Sequence, residues 1–402
     1  MNDYIPFFKP TIGDEEIRDV TECMRSGWLT TGKFAKQFES DFAKYMGAKF
    51  AVALNSCTAA LHLALEAVGL QEGELVLVPT MTFAATAEVV RYFKAIPVLV
   101  DCNDSDFCMN MDQAGTILER ISRGDTVPGV IPGHKGVKAI IPVHYGGQAV
   151  DIVKCRKLCD KYNLKLIEDC AHCCPAYYKD DAGEWRMVGS SADIACYSFY
   201  ANKTITTGEG GMATTDDEEL ADRMRVMSLH GISKDAWKRF SKEGSWYYEI
   251  VAPGFKYNMP DTAAAIGVNQ LKKADGFHAA RKSIAAKLTE GLSGISGITL
   301  PFERDDAKHS WHLYVIRIDK QICGISRNEF IEKMTAANIG SSVHYTPLHL
   351  HPYYIEKFNF KASDFPVANK LFEEIVSLPI YPGLTDDEVT RICDTVKAIV
   401  GA

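Results

Sequence analysis

The sequence predicts an α/β protein whose large domain contains a mostly parallel, seven-stranded sheet between helices, followed by a smaller C-terminal α/β domain. Three observations predict this fold class. Seven short β-rich segments alternate with helical segments between residues 48 and 216, as in sheets whose parallel strands are joined by helices. Several of these strands are continuously apolar, as strands covered by helices on both faces should be. The alternation restarts on a smaller scale after residue 252.

The predicted elements follow a regular order along the chain. In the large domain, strands are expected at 50–54, 75–79, 96–101, 139–145, 164–169, 194–199 and 211–215, and helices at 57–68, 84–93, 149–162 and 217–229. Residues 231–249 have no clean period and are interpreted as a long surface excursion. In the small domain, strands are expected at 312–318 and 341–346, and a helix at 326–339. The last helix should open with a capping box between Thr385 and Glu388.

These elements divide the chain into two domains. Residues 13–251 are assigned to the large domain and 252–402 to the small one, with residues 1–12 packing against the body. A chain of 402 residues is long enough for two or three domains of ordinary size.

Composition excludes several classes of protein. The chain is 47% apolar and 24% charged, which is typical of a globular protein rather than of a disordered, collagen-like or coiled-coil chain. Its formal net charge of -8 argues against nucleic acid as a partner, because phosphate-backbone binding needs a basic surface. No apolar run approaches the roughly 20 residues of a membrane span. The N-terminus does not resemble a signal peptide, so we expect a cytoplasmic protein with reduced cysteines.

The segment Asn55-Ser56-Cys57-Thr58-Ala59-Ala60 follows a predicted strand and opens a predicted helix. Small and hydroxyl residues at a helix start leave backbone N–H groups free, and together with the helix dipole they suit a phosphate group. The alternative is an ordinary Ser or Thr helix cap, which is the commoner situation for such a segment taken alone.

Two further segments carry groups that could do chemistry. Asp169 ends an apolar strand, where a carboxylate of a parallel sheet meets ligands, although it could also cap a strand–helix junction. Lys203 lies between a strand and a glycine-rich turn, where Asn, Asp or Ser would be more usual, although it could be a solvated loop lysine. Gly208, Gly210 and Gly211 do not form a dinucleotide loop, because no helix follows them directly.

A cluster of cysteines raises the alternative of a zinc site. Five cysteines lie close in sequence with C-x3-C and C-x2-C spacings: Cys155, Cys159, Cys170, Cys173 and Cys174. Structural zinc sites need paired cysteines on compact loops, whereas cysteines on regular buried elements are usually small apolar residues. We therefore expect no metal.

The chain resembles the fold-type I pyridoxal-phosphate enzymes, because it has in the same order a candidate phosphate loop, an aspartate at a strand end and a lysine before a Thr-Thr-Gly-Glu-Gly-Gly turn. More narrowly, it resembles the DegT/DnrJ/StrS family of nucleotide-sugar aminotransferases. The resemblance covers nearly the whole chain. Its segments are SGWLTTGKFAKQFE (26–39), NSCTAALHLAL (55–65), VPTMTFAATA (78–87), IPVHYGG (141–147), IEDCAH (167–172), NKTITTGEGGM (202–212), PGFKYNMPDTAAAIG (253–267) and VHYTPLH (343–349). The chain departs from many members at Cys57, where they have Gly, and at His172, where they have Gln. Loop 123–137 is also longer than usual for the family.

The resemblance implies roles for individual residues. Lys203 would form a Schiff base with pyridoxal 5'-phosphate and, once released, move a proton between substrate and cofactor. Asp169 would pair with the ring nitrogen, His172 would contact the ring hydroxyl and Phe83 would stack on the ring. The implied phosphate ligands are Thr58, Ala59 and Ser198, with Asn258 reaching over from the neighbouring subunit of a homodimer that has shared active sites. Candidate sugar contacts are Thr31, His344 and Tyr345.

The implied activity is transfer of the amino group of glutamate to a nucleotide-linked 4-keto-6-deoxy-hexose, with 2-oxoglutarate as the other product. The run HGISKDAW (230–237) is more typical of members that aminate C4 than of those that aminate C3. A C3-aminotransferase and a pyridoxamine-phosphate-dependent sugar dehydratase of the same fold are the alternatives. The dehydratases carry His in place of the lysine, so Lys203 argues against that branch. A non-catalytic protein on this fold would be expected to lack Lys203 or Asp169.

Overall fold

The computed structural model describes residues 4–232 and 248–402. The predicted excursion at 231–249 and the HGISKDAW run therefore lie largely outside the described residues. The large domain's helices are α1 (Asp14–Ser26), α2 (Lys33–Met46), α3 (Cys57–Ala67), α4 (Ala85–Tyr92), α5 (Met111–Arg123), α6 (Ile152–Tyr162) and α7 (Glu218–Ser228). Its strands are β1 (Phe50–Leu54), β2 (Leu75–Pro79), β3 (Ile96–Val100), β4 (Val137–Ile140), β5 (Lys165–Asp169), β6 (Tyr177–Lys179), β7 (Trp185–Met187), β8 (Ile194–Ser198) and β9 (Gly211–Thr215).

The seven predicted strands of the large domain form one sheet in the order β1-β9-β8-β5-β4-β2-β3. All neighbours in it are parallel except β9, which is antiparallel to both β1 and β8. The predicted helices of this domain are found within three residues of their expected bounds. The mostly parallel, helix-covered sheet is therefore confirmed, and its loops bring residues after β2, β5 and β8 to one edge.

The C-terminal part of the chain adds a second, smaller sheet. Its helices are α8 (Asp261–Leu292), α9 (Lys320–Cys323), α10 (Arg327–Ala336), α11 (Pro352–Phe358), α12 (Pro366–Glu374) and α13 (Asp386–Val400). Its strands are β10 (Ile298–Thr299), β11 (Ala307–Lys308), β12 (Tyr314–Ile318) and β13 (Ile375–Leu378). The sheet β10-β12-β13 is antiparallel, while β11 joins β6 and β7 in a third small sheet. The predicted capping box is present at α13, where Thr385 and Glu388 exchange hydrogen bonds.

One predicted strand is wrong. Residues 341–346 make a single bridge, in which Ser342 pairs with Ser377 of β13, and then leave the sheet. The carbonyl of His344 accepts a hydrogen bond from the Tyr145 hydroxyl, and the His344 ring bonds the Ser377 hydroxyl at 2.8 Å. The His344 carbonyl, which would extend a strand ladder, is thus used by a side chain, and Pro347 restricts the residue before it.

The long helix α8 contributes to both cores of the molecule. Its first half places Leu271 in the core of the large domain, and its second half places Leu288 in a separate apolar cluster around Tyr314 and Phe330. Ile5 of the N-terminal segment belongs to that second cluster and pairs with Ile339. The domain boundary at 251/252 remains a prediction. Among the described residues, no helix is long and apolar enough to cross a membrane.

Candidate active site

A cavity of about 390 Å³ lies where the loops after β2, β5 and β8 meet the start of α3. Polar groups from four separate segments of the sequence converge on it, together with residues 344 and 345. Eight of the residues singled out from the sequence line it: Thr58, Phe83, Asp169, His172, Ser198, Lys203, His344 and Tyr345. A binding site at this edge is what the topology of a parallel sheet predicts.

Asp169 ends β5 and is buried at the wall of the cavity. Its Oδ2 accepts a hydrogen bond from the Thr86 hydroxyl at 2.9 Å, and its Oδ1 accepts one from the N–H of Ala171 at 3.1 Å. Burial raises the pKa of Asp169, while these two bonds and the charge of Lys203 act in the opposite direction. The carboxyl group is therefore held in one orientation beside the cavity.

Two threonines that the sequence analysis did not single out support this carboxylate. The hydroxyl groups of Thr82 and Thr86 lie 2.8 Å apart. Because Thr86 donates its proton to Asp169, Thr82 must be the donor to Thr86. The signal available in the sequence was the four-residue spacing of the two threonines in 78–87, but nothing local shows that they face an aspartate 83 residues away.

Lys203 lies between β8 and β9 and lines the cavity. Its backbone N–H bonds the carbonyl of Tyr200, and the turn around it is closed by a bond from Thr207 N–H to the carbonyl of Phe199. Burial lowers the pKa of the Lys203 ammonium from 10.5 to about 8, although the charge of Asp169 favours the protonated form. A lysine with an accessible neutral form suits nucleophilic and proton-transfer chemistry.

The N-terminus of α3 also lines the cavity, through Ser56, Cys57 and Thr58. Ser56 is the N-cap of α3, and its hydroxyl oxygen accepts a hydrogen bond from the N–H of Ala59 at 3.0 Å. A helix cap at this position is therefore confirmed. The first N–H groups of the helix remain available for another acceptor. Gly211 packs directly against this turn, because a Cβ there would lie 2.3 Å from the Ser56 carbonyl carbon and 2.5 Å from the Cys57 nitrogen. The result is a cradle of backbone donors that suits an anion.

We expect Gly211→Ala to disturb this cradle. The added methyl group meets backbone atoms that cannot rotate away, so the free energy of unfolding should fall by about 1–3 kcal/mol. Denaturant unfolding measures the effect. Gly276→Ala in α8 is the matched control, since nothing lies within 4 Å of its added methyl group, and it should raise stability by about 0.5–1 kcal/mol. Equal stability of Gly211→Ala and the unsubstituted protein would contradict the close packing.

His172 is buried, with both ring nitrogens engaged. Its Nδ1 accepts the backbone N–H of Gly146 at 3.0 Å, and its Nε2 lies 2.9 Å from the hydroxyl oxygen of Tyr345. Burial and nearby positive charges, that of Lys203 above all, keep the pKa of His172 well below its usual value, so the ring is neutral. The ring lies nearly parallel to that of Tyr345, with 19° between their planes.

Three of the residues predicted from the sequence lie outside the cavity lining. Ala59 is buried inside α3, with its N–H already bonded to Ser56. Asn258 and Thr31 bond each other, since the Asn258 side-chain amide donates to the Thr31 hydroxyl at 2.8 Å. The Thr31 hydroxyl donates in turn to the carbonyl of Met259 at 2.6 Å. Thr31 and Asn258 thus form a separate polar pair.

The five cysteines weighed as a zinc set do not converge on a common point. In the part of the chain that the structure describes, one group of metal-ligand atoms lies within 4.8 Å of one another, and it combines Cys170 with His144 and Glu168. The ring nitrogens of His144 are already used by Glu168 at 3.0 Å and by the N–H of Val150 at 3.2 Å. This cluster is therefore explained as a buried hydrogen-bonded pair next to a thiol.

Comparison with known proteins gives consistent results along the whole chain. The sequence profile of the DegT/DnrJ/EryC1/StrS aminotransferase family matches residues 10–397. The chain is 44% identical over 400 residues to the spore coat polysaccharide biosynthesis protein SpsC of Bacillus subtilis, covering 99% of this chain and 98% of that protein.

Solved structures resemble the chain over the same extent. Spr1654 of Streptococcus pneumoniae, named as a sugar aminotransferase and solved in its pyridoxal-phosphate form, superposes with a TM-score of 0.86 at 32% identity, covering 99% of both chains. PseC of Helicobacter pylori, an aminotransferase involved in the biosynthesis of pseudoaminic acid, superposes with a TM-score of 0.87 at 25% identity, covering 99% of this chain and 100% of that one.

Proposed function

The chain belongs to the DegT/DnrJ/EryC1/StrS aminotransferase family, and from this premise we propose that it transfers the amino group of glutamate to a nucleotide-linked 4-keto-6-deoxy-hexose, giving a 4-amino sugar nucleotide. It is a pyridoxal-phosphate-dependent sugar aminotransferase with the fold-type I architecture. The observation that carries the proposed chemistry is the convergence of Lys203 and Asp169 on one cavity that also contains an anion cradle.

The residues around the cavity fit the cofactor. The free N–H groups at the start of α3 and the Thr58 hydroxyl line the cavity and form an anion cradle for its phosphate, and Asp169 supplies a buried carboxylate for its ring nitrogen. Phe83 is 61% exposed at the cavity, so its face is free for an aromatic ring. Pyridoxal phosphate, when bound, supplies an aldehyde for linkage to an amine and a ring that withdraws electrons.

Lys203 serves as the linking amine and as the group that moves a proton at the reacting carbon. Both roles need its neutral form. At pH 7, an ammonium with a pKa of about 8 instead of 10.5 has roughly 300 times more neutral amine. Burial at the cavity therefore prepares this one lysine for its chemistry.

The lowered pKa of Lys203 should be visible in the pH dependence of the rate at which the protein links its cofactor. We expect the rate at which cofactor-free protein links pyridoxal phosphate to rise about tenfold per pH unit below pH 8 and to level off above it, because only the neutral amine attacks. Stopped-flow absorption measures this rate, and Lys203→Ala is the control that should lack the covalent phase. A rate that still rises tenfold between pH 9 and 10 would contradict the lowered pKa.

The substrate class is supported by relatives and by the sequence. SpsC is named for polysaccharide biosynthesis and Spr1654 as a sugar aminotransferase, and both match the chain from end to end. The run at 230–237, which lies mostly outside the described residues, favours amination at C4. His344 and Tyr345 place polar groups at the cavity where a sugar could be oriented.

A substrate screen tests this proposal. The protein loaded with pyridoxal phosphate is incubated with glutamate and with 4-keto-6-deoxy and 3-keto sugar nucleotides in separate reactions. Formation of 2-oxoglutarate together with a 4-amino sugar, identified by NMR, is expected. Amination of the 3-keto series alone would establish the C3 alternative, and loss of a sugar hydroxyl without amination would establish the dehydratase alternative.

We also propose that the enzyme is a homodimer with shared active sites. Asn258 lies outside the cavity lining and bonds Thr31, and the neighbouring Trp28 and Leu29 are 44% and 50% exposed. Exposed apolar side chains beside a polar pair fit an interface with a second copy. In such a dimer, Asn258 reaches the phosphate in the partner's site.

Mixing two inactive variants tests the shared site. Asn258→Asp should be inactive because its carboxylate faces a phosphate, and Lys203→Ala should be inactive because it lacks the amine. In a mixed dimer, the Asn258→Asp chain keeps Lys203 and receives an intact Asn258 from its partner. Random exchange should restore about a quarter of the sites, measured as aminotransferase activity after subunit exchange. Absence of recovery despite exchange, shown by mass spectrometry of tagged chains, would refute the shared site.

A further inference from the structure

The hydrogen bonds of His172 leave it no free nitrogen for a ligand. Its Nδ1 accepts the N–H of Gly146, so a neutral ring must carry its proton on Nε2. That proton is donated to the hydroxyl oxygen of Tyr345 at 2.9 Å. An imidazole N–H makes one good in-plane bond, and here Tyr345 occupies that position.

The proton of Tyr345 is consequently directed elsewhere. Since its oxygen accepts from His172, its own O–H must find another acceptor. Tyr345 lines the cavity together with seven other titratable residues: Cys57, Asp169, His172, Tyr200, Lys203, Glu209 and His344. Burial and the charge of Asp169 raise the pKa of the Tyr345 phenol, so it keeps its proton. The hydroxyl is a donor held at the cavity wall.

The position of Tyr345 limits the acceptor. Its ring centroid lies 6.0 Å from that of Phe83 and 6.1 Å from that of His172. The family resemblance implies that Phe83 covers the face of the cofactor ring and that His172 contacts the ring hydroxyl. Because the Nε2–H of His172 is already engaged by the Tyr345 oxygen, an acceptor in the cavity finds its donor in the Tyr345 hydroxyl.

Given the pyridoxal-phosphate chemistry, we propose that Tyr345 donates the hydrogen bond to the phenolic oxygen of the bound cofactor, and that His172 is a positioning residue that turns the Tyr345 hydroxyl towards it. Gly146 completes the chain of bonds by fixing the tautomer of His172. The His312 ring, whose centroid lies 4.5 Å from that of His172 with 35° between the planes, packs against His172 and limits its rotation.

The spectrum of the loaded enzyme, recorded without any sugar, tests this inference independently of the sugar substrate. A hydrogen bond donated to the phenolic oxygen reduces the negative charge on that oxygen. This charge otherwise stabilises a proton on the nitrogen that joins Lys203 to the cofactor. Tyr345→Phe should therefore raise the titration midpoint of the visible absorption band by about one pH unit, with the cofactor still bound. Tyr314→Phe is the matched control, because it removes a tyrosine hydroxyl that bonds Thr289 in the second apolar cluster, and Tyr314 does not line the cavity. It should leave the midpoint unchanged.

Variants of His172 separate positioning from direct contact. His172→Phe should raise the titration midpoint when Tyr345 is present, but it should cause no further rise when it is combined with Tyr345→Phe. His172→Gln keeps an amide donor, so its midpoint should lie close to that of the unsubstituted enzyme. An unchanged midpoint in Tyr345→Phe would overturn the inference. A further shift caused by His172→Phe in the Tyr345→Phe background would also overturn it, because His172 would then contact the cofactor itself.

Discussion

Replacement of Lys203 by alanine should abolish transamination while leaving the protein folded and able to hold pyridoxal phosphate without a covalent bond. The phosphate cradle at α3 and the Asp169 carboxylate do not depend on the amine, whereas linkage and proton transfer both do. We expect activity to fall by several orders of magnitude, which is the largest effect of any single substitution in the site.

Two measurements check this result. Borohydride reduction followed by mass spectrometry should place the cofactor on Lys203 in the unsubstituted protein, and both the activity and the covalent label should be lost in Lys203→Ala. Lys282→Ala is the matched control, because Lys282 is exposed on α8, and it should retain both. A label on any other lysine of the unsubstituted protein would overturn the assignment.

Replacement of Asp169 by asparagine should have the second largest effect. The amide preserves the shape of the side chain but cannot keep a proton on the ring nitrogen, so the ring withdraws electrons less effectively. Both half-reactions should slow by several orders of magnitude, as expected when a placed charge is removed, with a modest loss of cofactor affinity. Single-turnover deamination of glutamate measures the first half-reaction.

A graded variant distinguishes loss of charge from loss of orientation. Thr86→Val removes one hydrogen bond to Asp169 and leaves the bond from Ala171. A bond to a charged group is worth about 1.5–3 kcal/mol, so the rate should fall roughly 10- to 100-fold, less than in Asp169→Asn. Deamination by Asp169→Asn at nearly the unsubstituted rate would show that Asp169 does not have this role.

Much of the large domain follows from local sequence. The strands β1, β2 and β9 begin and end where the apolar runs predict, because a strand buried on both faces needs a short continuous apolar segment and little else. The Ser56 cap is equally local, since a helix start needs a side-chain acceptor three residues before the N–H that it binds. Lys203 could be singled out because a lysine is unusual before a glycine-rich turn, and Asp169 because it ends an apolar strand, where parallel sheets meet their ligands.

Other features depend on contacts between segments that are distant in sequence. Residues 341–346 are predicted to form a strand, yet the Tyr145 hydroxyl takes the His344 carbonyl that a strand would use, and Ser377 bonds the His344 ring. The sequence of β9 alone does not show that this strand runs antiparallel to its neighbours. The sequence of α8 alone does not show that this helix packs in two separate cores. In each case the deciding partner lies tens to hundreds of residues away.

The sequence by itself predicted the fold class and singled out Lys203 and Asp169, because these depend on residue type and short-range pattern, and its resemblance to a known family implied the aminotransferase chemistry. Tertiary structure alone decided how the polar groups are oriented. A histidine offers the same two nitrogens in any sequence, and it is the backbone N–H of Gly146, 26 residues away, that fixes which one carries the proton and so turns His172 towards Tyr345. Hydrogen-bond direction depends on which donor is folded against which acceptor, and that requires the packed chain.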